Sequence, residues 1–257
     1  MLFRDHIGRE FQLEHIPQRI ISLVPSQTEL LCDLGLESSL VGITRFCVHP
    51  AHLRKGKQRV GGTKRISLKK VKELQPDIIL CNKEENTPEM VAELEQIAPV
   101  HVSDISGIPE TLQLIRDYGK IFNVVSEAQN LIRKLSRELQ EFENFVADRP
   151  YKQVLYFIWK EPYMVAGNDT FINKMLQLNH LENVVGQNRY PELSLAEIEQ
   201  MDPELMLLSS EPYPFTEKDM EEFERFSGKV VVVDGEAFSW YGSRLLKSLD
   251  YFKELKL

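Results

Sequence analysis

Three side chains with metal-binding chemistry crowd one short stretch. Cys47, His49 and His52 lie within six residues, a spacing that a loop could fold into a tetrahedral site. No fourth ligand stands nearby, so the expectation is that the set holds no resident metal. A single imidazole, His49 or His52, reaching the axial position of a cobalt or iron centre within a ligand is a separate reading. Gly61-Gly62-Thr63-Lys64 is a glycine loop without the spacing of a nucleotide-binding loop. It either lets backbone approach a ligand closely or makes a turn. Glu84-Glu85-Asn86 follows an apolar run, where α/β sheets put ligand contacts. The two carboxylates could accept from ligand amides, bind a cation, or lie solvated in a loop. Ser26 sits in a strand-to-helix turn but lacks the flanking glycines of a nucleophile elbow. With Glu29 three residues on, it reads as a capping box. Arg244 opens the last helical pattern and would face either a ligand phosphate or carboxylate, or a buried acid. No Ser/His/Asp arrangement presents itself, and no catalysis is expected.

The elements that must position these residues announce themselves by a near-repeat. Ser67-Leu68-x-x-Val71-x-x-Leu74-x-Pro76-Asp77-Ile78-Ile79-Leu80 returns 127 residues later as Ser194-Leu195-x-x-Ile198-x-x-Met201-x-Pro203-Glu204-Leu205-Met206-Leu207. Each copy predicts a helix capped by serine, a Pro-acid turn and a short buried strand. The separation is too long for a solenoid and suits equivalent units in two similar lobes with a cleft between them. Around the copies, apolar strands alternate with helical patterns. Residues 2–14 read as a hairpin, 19–24 as a strand, 25–29 as a turn entering a helix that runs through 34, and 41–44, 77–81 and 99–102 as further strands. Such alternation predicts a mostly parallel sheet. Residues 126–147 form the longest helical pattern, with Leu131, Leu135, Leu139, Phe142 and Val146 as its apolar stripe. At roughly 1.5 Å per residue it makes a rod of roughly 33 Å. Strand and helix patterns then resume to a last helix at 243–255. The fold class is α/β, with two Rossmann-like lobes. Residues 1–122 are the N-terminal lobe, 123–149 the helix joining the lobes, and 150–257 the C-terminal lobe.

Composition excludes several classes. The chain has 257 residues, 42% hydrophobic and 27% charged, with a net charge of −8. That balance argues against nucleic acid. The one basic run, Arg54, Lys55, Lys57, Arg59, Lys64 and Arg65, reads as a solvated loop rather than a phosphate track. Three cysteines without a CxxC spacing fit reduced thiols. No apolar run approaches the length of a membrane span. The first residues lack an apolar signal region, so the chain as written is expected to carry no secretory signal. A monomer is expected.

With its order of motifs, the chain resembles the class III periplasmic binding proteins, the receptors for vitamin B12, ferric siderophores and haem that serve ABC importers. The resemblance is carried by Arg19-Ile20-Ile21-Ser22-Leu23-Val24-Pro25-Ser26-Gln27-Thr28-Glu29, Leu34-Gly35, Val41-Gly42, the two Pro-acid units and Trp240-Tyr241-Gly242-Ser243-Arg244. It implies two lobes joined by one long helix and a ligand held between them without chemistry. The vitamin B12 receptors look most similar, and their cleft aromatics pack on the corrin ring. By that resemblance Phe46 and Tyr190 match cleft aromatics, Trp240 lies beside another, and Trp159 and Tyr163 fall in the loop of the C-lobe pocket wall. Thr63 stands where the family has Trp. The implied ligand site has apolar walls from Phe46, Trp159, Tyr163, Tyr190, Trp240 and Tyr241. Its polar contacts come from Thr63, Lys64, Glu85 and Arg244. A large flat ring gains from aromatic faces by area and stacking. The expected ligand is cobalamin, another corrinoid or a related metal chelate, and no further cofactor is required.

Each family lobe offers a glutamate to the transporter's membrane subunits, two residues after the serine of the repeat. Here those positions hold Lys69 and Ala196. Docking would then fall to Glu197 or Glu89, or to Glu84 or Glu85, or be lost. The family is periplasmic or lipid-anchored, and a chain without a signal would be cytoplasmic. A cytoplasmic carrier or sensor for corrinoid, ferric siderophore or haem is therefore the second reading. A bilobal chelatase-like metalloenzyme is the third, with only Cys47, His49 and His52 to support it.

Overall fold

The computed structural model describes residues 1–255 and 257. They divide into two compact units, residues 1–135 with 241–244, and residues 136–240 with 245–257. The short segment 241–244 thus packs with the first unit, although it lies far along the chain within 150–257.

The first unit opens with an antiparallel hairpin of β1 (Leu2–Arg4) and β2 (Glu10–Gln12). Five strands follow: β3 (Ile20–Ser22), β4 (Leu40–Thr44), β5 (Gln58–Gly61), β6 (Ile78–Asn82) and β7 (Val100–Ser103). They form one sheet in the order β5-β4-β3-β6-β7, parallel throughout. Its helices are α1 (Pro25–Asp33), α2 (Leu53–Gly56), α3 (Leu68–Glu73), α4 (Pro88–Glu95) and α5 (Ile108–Ile121). The chain winds one way from β3 through β4 to β5 and the other way from β6 to β7. That reversal is where such sheets open a crevice at their carboxyl ends. Ile21, Leu23, Ile79 and Cys81 supply one buried face, against Val71 of α3 and Leu94 of α4. Both faces of the central strands are covered, which is why β6 reads as an unbroken apolar run.

The long helix α6 (Val125–Val146) starts in the first unit and ends in the second. Leu135, Leu139, Phe142 and Val146 are buried as the stripe predicts, and Leu131 is half-buried.

The second unit contains β8 (Lys152–Trp159), β9 (Tyr163–Val165), α7 (Phe171–Leu178), β10 (Leu181–Asn183), β11 (Glu192–Leu193) and α8 (Leu195–Met201). It continues with β12 (Leu205–Ser209), α9 (Glu217–Phe223), β13 (Lys229–Val233), α10 (Gly235–Ser239) and α11 (Leu245–Glu254). Its sheet runs β11-β9-β8-β12-β13, with β10 beside the first half of β8. β8, β10, β12 and β13 are parallel, β9 runs antiparallel to β8, and β11 runs antiparallel to β9.

The near-repeat holds down to the backbone. Ser67 and Ser194 each accept from the amide three residues on. Gln75 and Asp202, each just before the proline, both take positive φ, at 44° and 41°. The acid that follows fastens the neighbouring strand in both units. Asp77 accepts from the backbone N–H groups of Gln18 (2.8 Å) and Arg19 (2.9 Å), leading into β3. Glu204 accepts from that of Gln153 (2.8 Å), in β8.

Two expectations need correction. The basic run at 54–65 is not a solvated loop, because it contains α2 and the edge strand β5. Alternating exposed charges around buried Val60 hid that strand. Ser26 and Glu29 do not form a capping box. Helix α1 begins two residues earlier than that box requires, at Pro25, with Val24 as its N-cap. Glu29 is buried and turned away to Arg244.

Candidate functional site

In the first unit, the loops leaving the carboxyl ends of β4 and β5 enclose a groove of about 820 Å³. Arg45 and Phe46 come from the first loop, and Gly61 through Ser67 from the second. The second loop doubles back on itself, with the Gly62 N–H donating to the Arg65 carbonyl (2.7 Å) and Gly61 bridging Ile66. Gly61 has φ of 147°, and a Cβ there would stand 2.5 Å from the Arg65 carbonyl oxygen. A Cβ on Gly62 would meet the Phe46 ring at 3.1 Å. The glycines therefore make a turn and seat Phe46. Phe46 is 44% exposed, with the Arg45 guanidinium 4.6 Å over its ring.

Thr63 and Lys64 are tied to the loop after β6. Asn86 Nδ2 donates to the Thr63 carbonyl (2.8 Å), and Lys64 Nζ donates to the Glu84 carbonyl. Burial pushes the Glu85 carboxyl up, partly opposed by Lys64 and by a hydrogen bond from Thr63. Phe46, Thr63, Lys64 and Glu85 thus belong to one neighbourhood, although Glu85 is not part of the groove lining.

Behind this neighbourhood runs a buried polar network that sequence reading missed. Tyr118 Oη donates to Gln27 Oε1 (2.6 Å). Gln27 Nε2 donates to Ser103 Oγ (2.6 Å) and to Tyr241 Oη (2.9 Å). Asn82 Nδ2 also donates to Ser103 Oγ (3.0 Å), and Asn82 Oδ1 accepts from the N–H groups of Glu84 and Glu85. Burial lifts the phenols, Tyr241 to about 12 and Tyr118 further, so both stay neutral donors. The one sequence signal was Gln27, a polar residue on the inner face of α1. The network holds the loop after β6 against α1 and Tyr241.

Other predicted residues take different roles. Tyr241 is 7% exposed and spends its hydroxyl in that network, so it is not an open wall. The buried acid turns out to be the partner of Arg244: its Nε lies 2.7 Å from Glu29 Oε2, both side chains at most 10% exposed. Cys47 turns inward to the hydroxyls of Thr28 (3.1 Å) and Thr44 (3.2 Å), and burial raises its thiol. His52 pairs with Glu37 (2.8 Å). Cys47 and His52 are thus drawn apart, and the described residues hold no group of three metal-ligating side chains.

In the second unit, Trp159 is 40% exposed and meets Tyr213 edge-on at 5.7 Å. Tyr163 is half-buried and donates to Glu222, which also pairs with Lys160 (2.7 Å). Tyr190 is half-buried beneath the Arg189 guanidinium, 5.5 Å from its ring centre. Trp240 is buried and donates through Nε1 to Glu211 Oε1 (2.9 Å), a carboxyl pushed up by its own burial. Glu197 closes a capping box with Ser194, which holds its carboxyl below the usual range. Glu89, in the first turn of α4, is exposed.

A sequence model described as periplasmic binding protein matches residues 20–226. This chain belongs to that family. The family match spans both Pro-acid units and the groove of the first unit, and ends before the Tyr241–Arg244 segment. Among characterised and uncharacterised relatives, the uncharacterized ABC transporter substrate-binding lipoprotein YvrC of Bacillus subtilis (strain 168) is 24% identical over 212 residues, 79% of this chain and 67% of that lipoprotein. A vitamin B12-binding protein of Pectobacterium carotovorum subsp. carotovorum is 23% identical over 241 residues, 90% of this chain and 85% of that protein. A periplasmic heme-binding protein from Pseudomonas aeruginosa superposes with a TM-score of 0.82 at 21% identity, covering 92% of this chain and 91% of that one. The superposition shows that this heme-binding protein shares the α/β fold described above. No helix among the described residues is long and apolar enough to cross a membrane.

Proposed function

We propose that this protein is a substrate-binding component of an ABC importer, and that it carries a metal chelate of the corrinoid, haem or ferric-siderophore class without altering it. The family match over residues 20–226 carries the reading. Support comes from the groove at the carboxyl ends of β4 and β5, on the same end of the sheet as the crevice where α/β folds hold ligands, and from the exposed ring of Phe46 on its rim. Phe46, Thr63 and Lys64 would contact the ligand from the first unit. Trp159, Tyr163 and Tyr190 remain the proposed contacts from the second. Docking to membrane subunits would fall to exposed Glu89, since Glu197 is occupied by its own helix cap.

A second reading is favoured by Lys69, whose side chain is 86% exposed and, among the described residues, pairs with no acid but Glu73, at 3.9 Å. A cation at that place opposes docking through arginines, and suits a carrier or sensor that hands its ligand to another partner.

Titration of the purified protein with cobinamide, haemin and a ferric tris-catecholate, followed by quenching of Trp159 and Trp240, tests the ligand class. Binding to one of them at micromolar concentration or below, weakened about tenfold or more by Phe46→Ala, is the expected result. Failure of all three to bind would sink the proposal.

A further inference from the structure

Five cations face the groove of the first unit. Arg45, Arg59, Lys64, Arg65 and Lys70 all line it, and all are exposed. Among the described residues, no carboxylate forms an ion pair with any of the five. Their hydrogen bonds within the protein go to neutral groups, although Lys64 also lies close enough to Glu85 to oppose the rise of its carboxyl. Lys70 Nζ donates to the Arg59 carbonyl (3.2 Å), and Arg59 Nη2 donates to the Arg54 carbonyl (3.0 Å). Lys64 reaches the Glu84 carbonyl, and Arg45 lies on the Phe46 face. Each contact fixes a cationic head without cancelling its charge. Other cations of the chain are treated differently. Lys160 sits between Asp219 (3.1 Å) and Glu222 (2.7 Å), Lys83 meets Asp104 (2.6 Å), and Arg9 meets Asp5 (2.8 Å).

A chain of net charge −8 therefore keeps a concave, positively charged place, lined also by Val60 and Ile66 and by Phe46 on its rim. Concave walls focus a field of one sign and raise the local concentration of the opposite ion. Guanidinium forks match acidic oxygens two at a time, and the aromatic ring on the rim suits a flat ring. A neutral corrin with amide side arms would use the ring face and leave the five charges unanswered.

We infer that the groove selects an anionic metal chelate, one presenting several carboxylate or catecholate oxygens beside an aromatic body, over a neutral corrinoid. This rests on the ligand-binding reading above and names its charge class.

The test compares three probes on the full chain by isothermal titration at low and at high salt: a trianionic ferric tris-catecholate, haemin with its two propionates, and neutral dicyanocobinamide. At least one anionic chelate should bind about tenfold or more tightly than dicyanocobinamide, with an affinity that falls as salt rises. Whether the catecholate or the propionate compound binds tells which acid the groove takes. The triple variant Arg45→Gln/Arg65→Gln/Lys70→Gln should lose about thirtyfold or more for the anionic probe. All three positions are exposed, so its melting temperature should match wild type, and that match is checked. Dicyanocobinamide binding as tightly as the anions, or a triple variant with unchanged affinity for them, overturns the inference and leaves the ligand-binding reading standing. Silence toward all three probes removes that reading, and this inference with it.

Discussion

At the scale of single residues, Gly61 has the least freedom to change. Its φ of 147° and the backbone oxygen 2.5 Å from any added Cβ leave no room for alanine. Gly61→Ala should cost about 2 kcal/mol or more of folding stability, read from urea denaturation. An unchanged midpoint would show that the loop relaxes freely. The same scale shows where sequence reading stopped. That a glycine turn stood here was legible from Gly61-Gly62. That Arg59, Lys64, Arg65 and Lys70 would converge with Arg45 was not, because the order of β4, β5 and α3 in space decides it. Arg244 was left between a ligand and a buried acid for a similar reason. Its partner Glu29 lies 215 residues away in the chain, and no local pattern points to it.

Among elements, the two Pro-acid units were legible almost residue by residue. Proline, a serine cap and helical spacing are local signals, and each wrote itself into local structure. The acid's role was not legible, since it fastens a strand far away in sequence: Asp77 to the start of β3, Glu204 to β8. Strands β9 and β11 were missed because they are three and two residues long, too short for a period to show. The two caps also differ. Ser194 has Glu197 at the third helical position and forms a reciprocal box, whereas the equivalent place after Ser67 is Lys70, which cannot accept. Ser194→Ala should therefore cost about 1 kcal/mol, and Ser67→Ala less. Equal losses in parallel guanidinium titrations would show that the box adds nothing.

For the molecule as a whole, one pH dependence traces to a buried histidine in the first unit. His101 lies in β7, ringed by His6, Phe11 and Tyr118, and neither of its ring nitrogens has a hydrogen-bond partner. Burial, helped by His6, lowers it from 6.5 to about 4. A depressed base binds fewer protons folded than unfolded, so stability is complete above 6.5 and drains away as pH falls toward 4. At pH 5 the loss amounts to about 2 kcal/mol. His6 acts in the other direction. Burial alone would lower it, but the hydrogen bond to Asp117 (3.3 Å) and other acidic neighbours raise it. Its contribution is complete below 6.5 and is lost as pH rises through its folded value. His101→Phe keeps the ring and removes the titration. Denaturation at pH 5 and at neutral pH should show wild type losing about 2 kcal/mol more than the variant on acidification. Matching losses would exclude His101 as the cause.

The doubled-back rim of the groove has a consequence for kinetics. It is pinned at Gly62 to Arg65, at Thr63 to Asn86 and at Lys64 to Glu84, so its backbone needs no ordering when something arrives. Preformed surfaces give up little conformational entropy on capture. Arrival at this rim is then set by diffusion and charge steering, which vary little among anions of similar size. Competing guests should differ chiefly in residence time, and the one that leaves most slowly should win the protein even when it is not the most abundant.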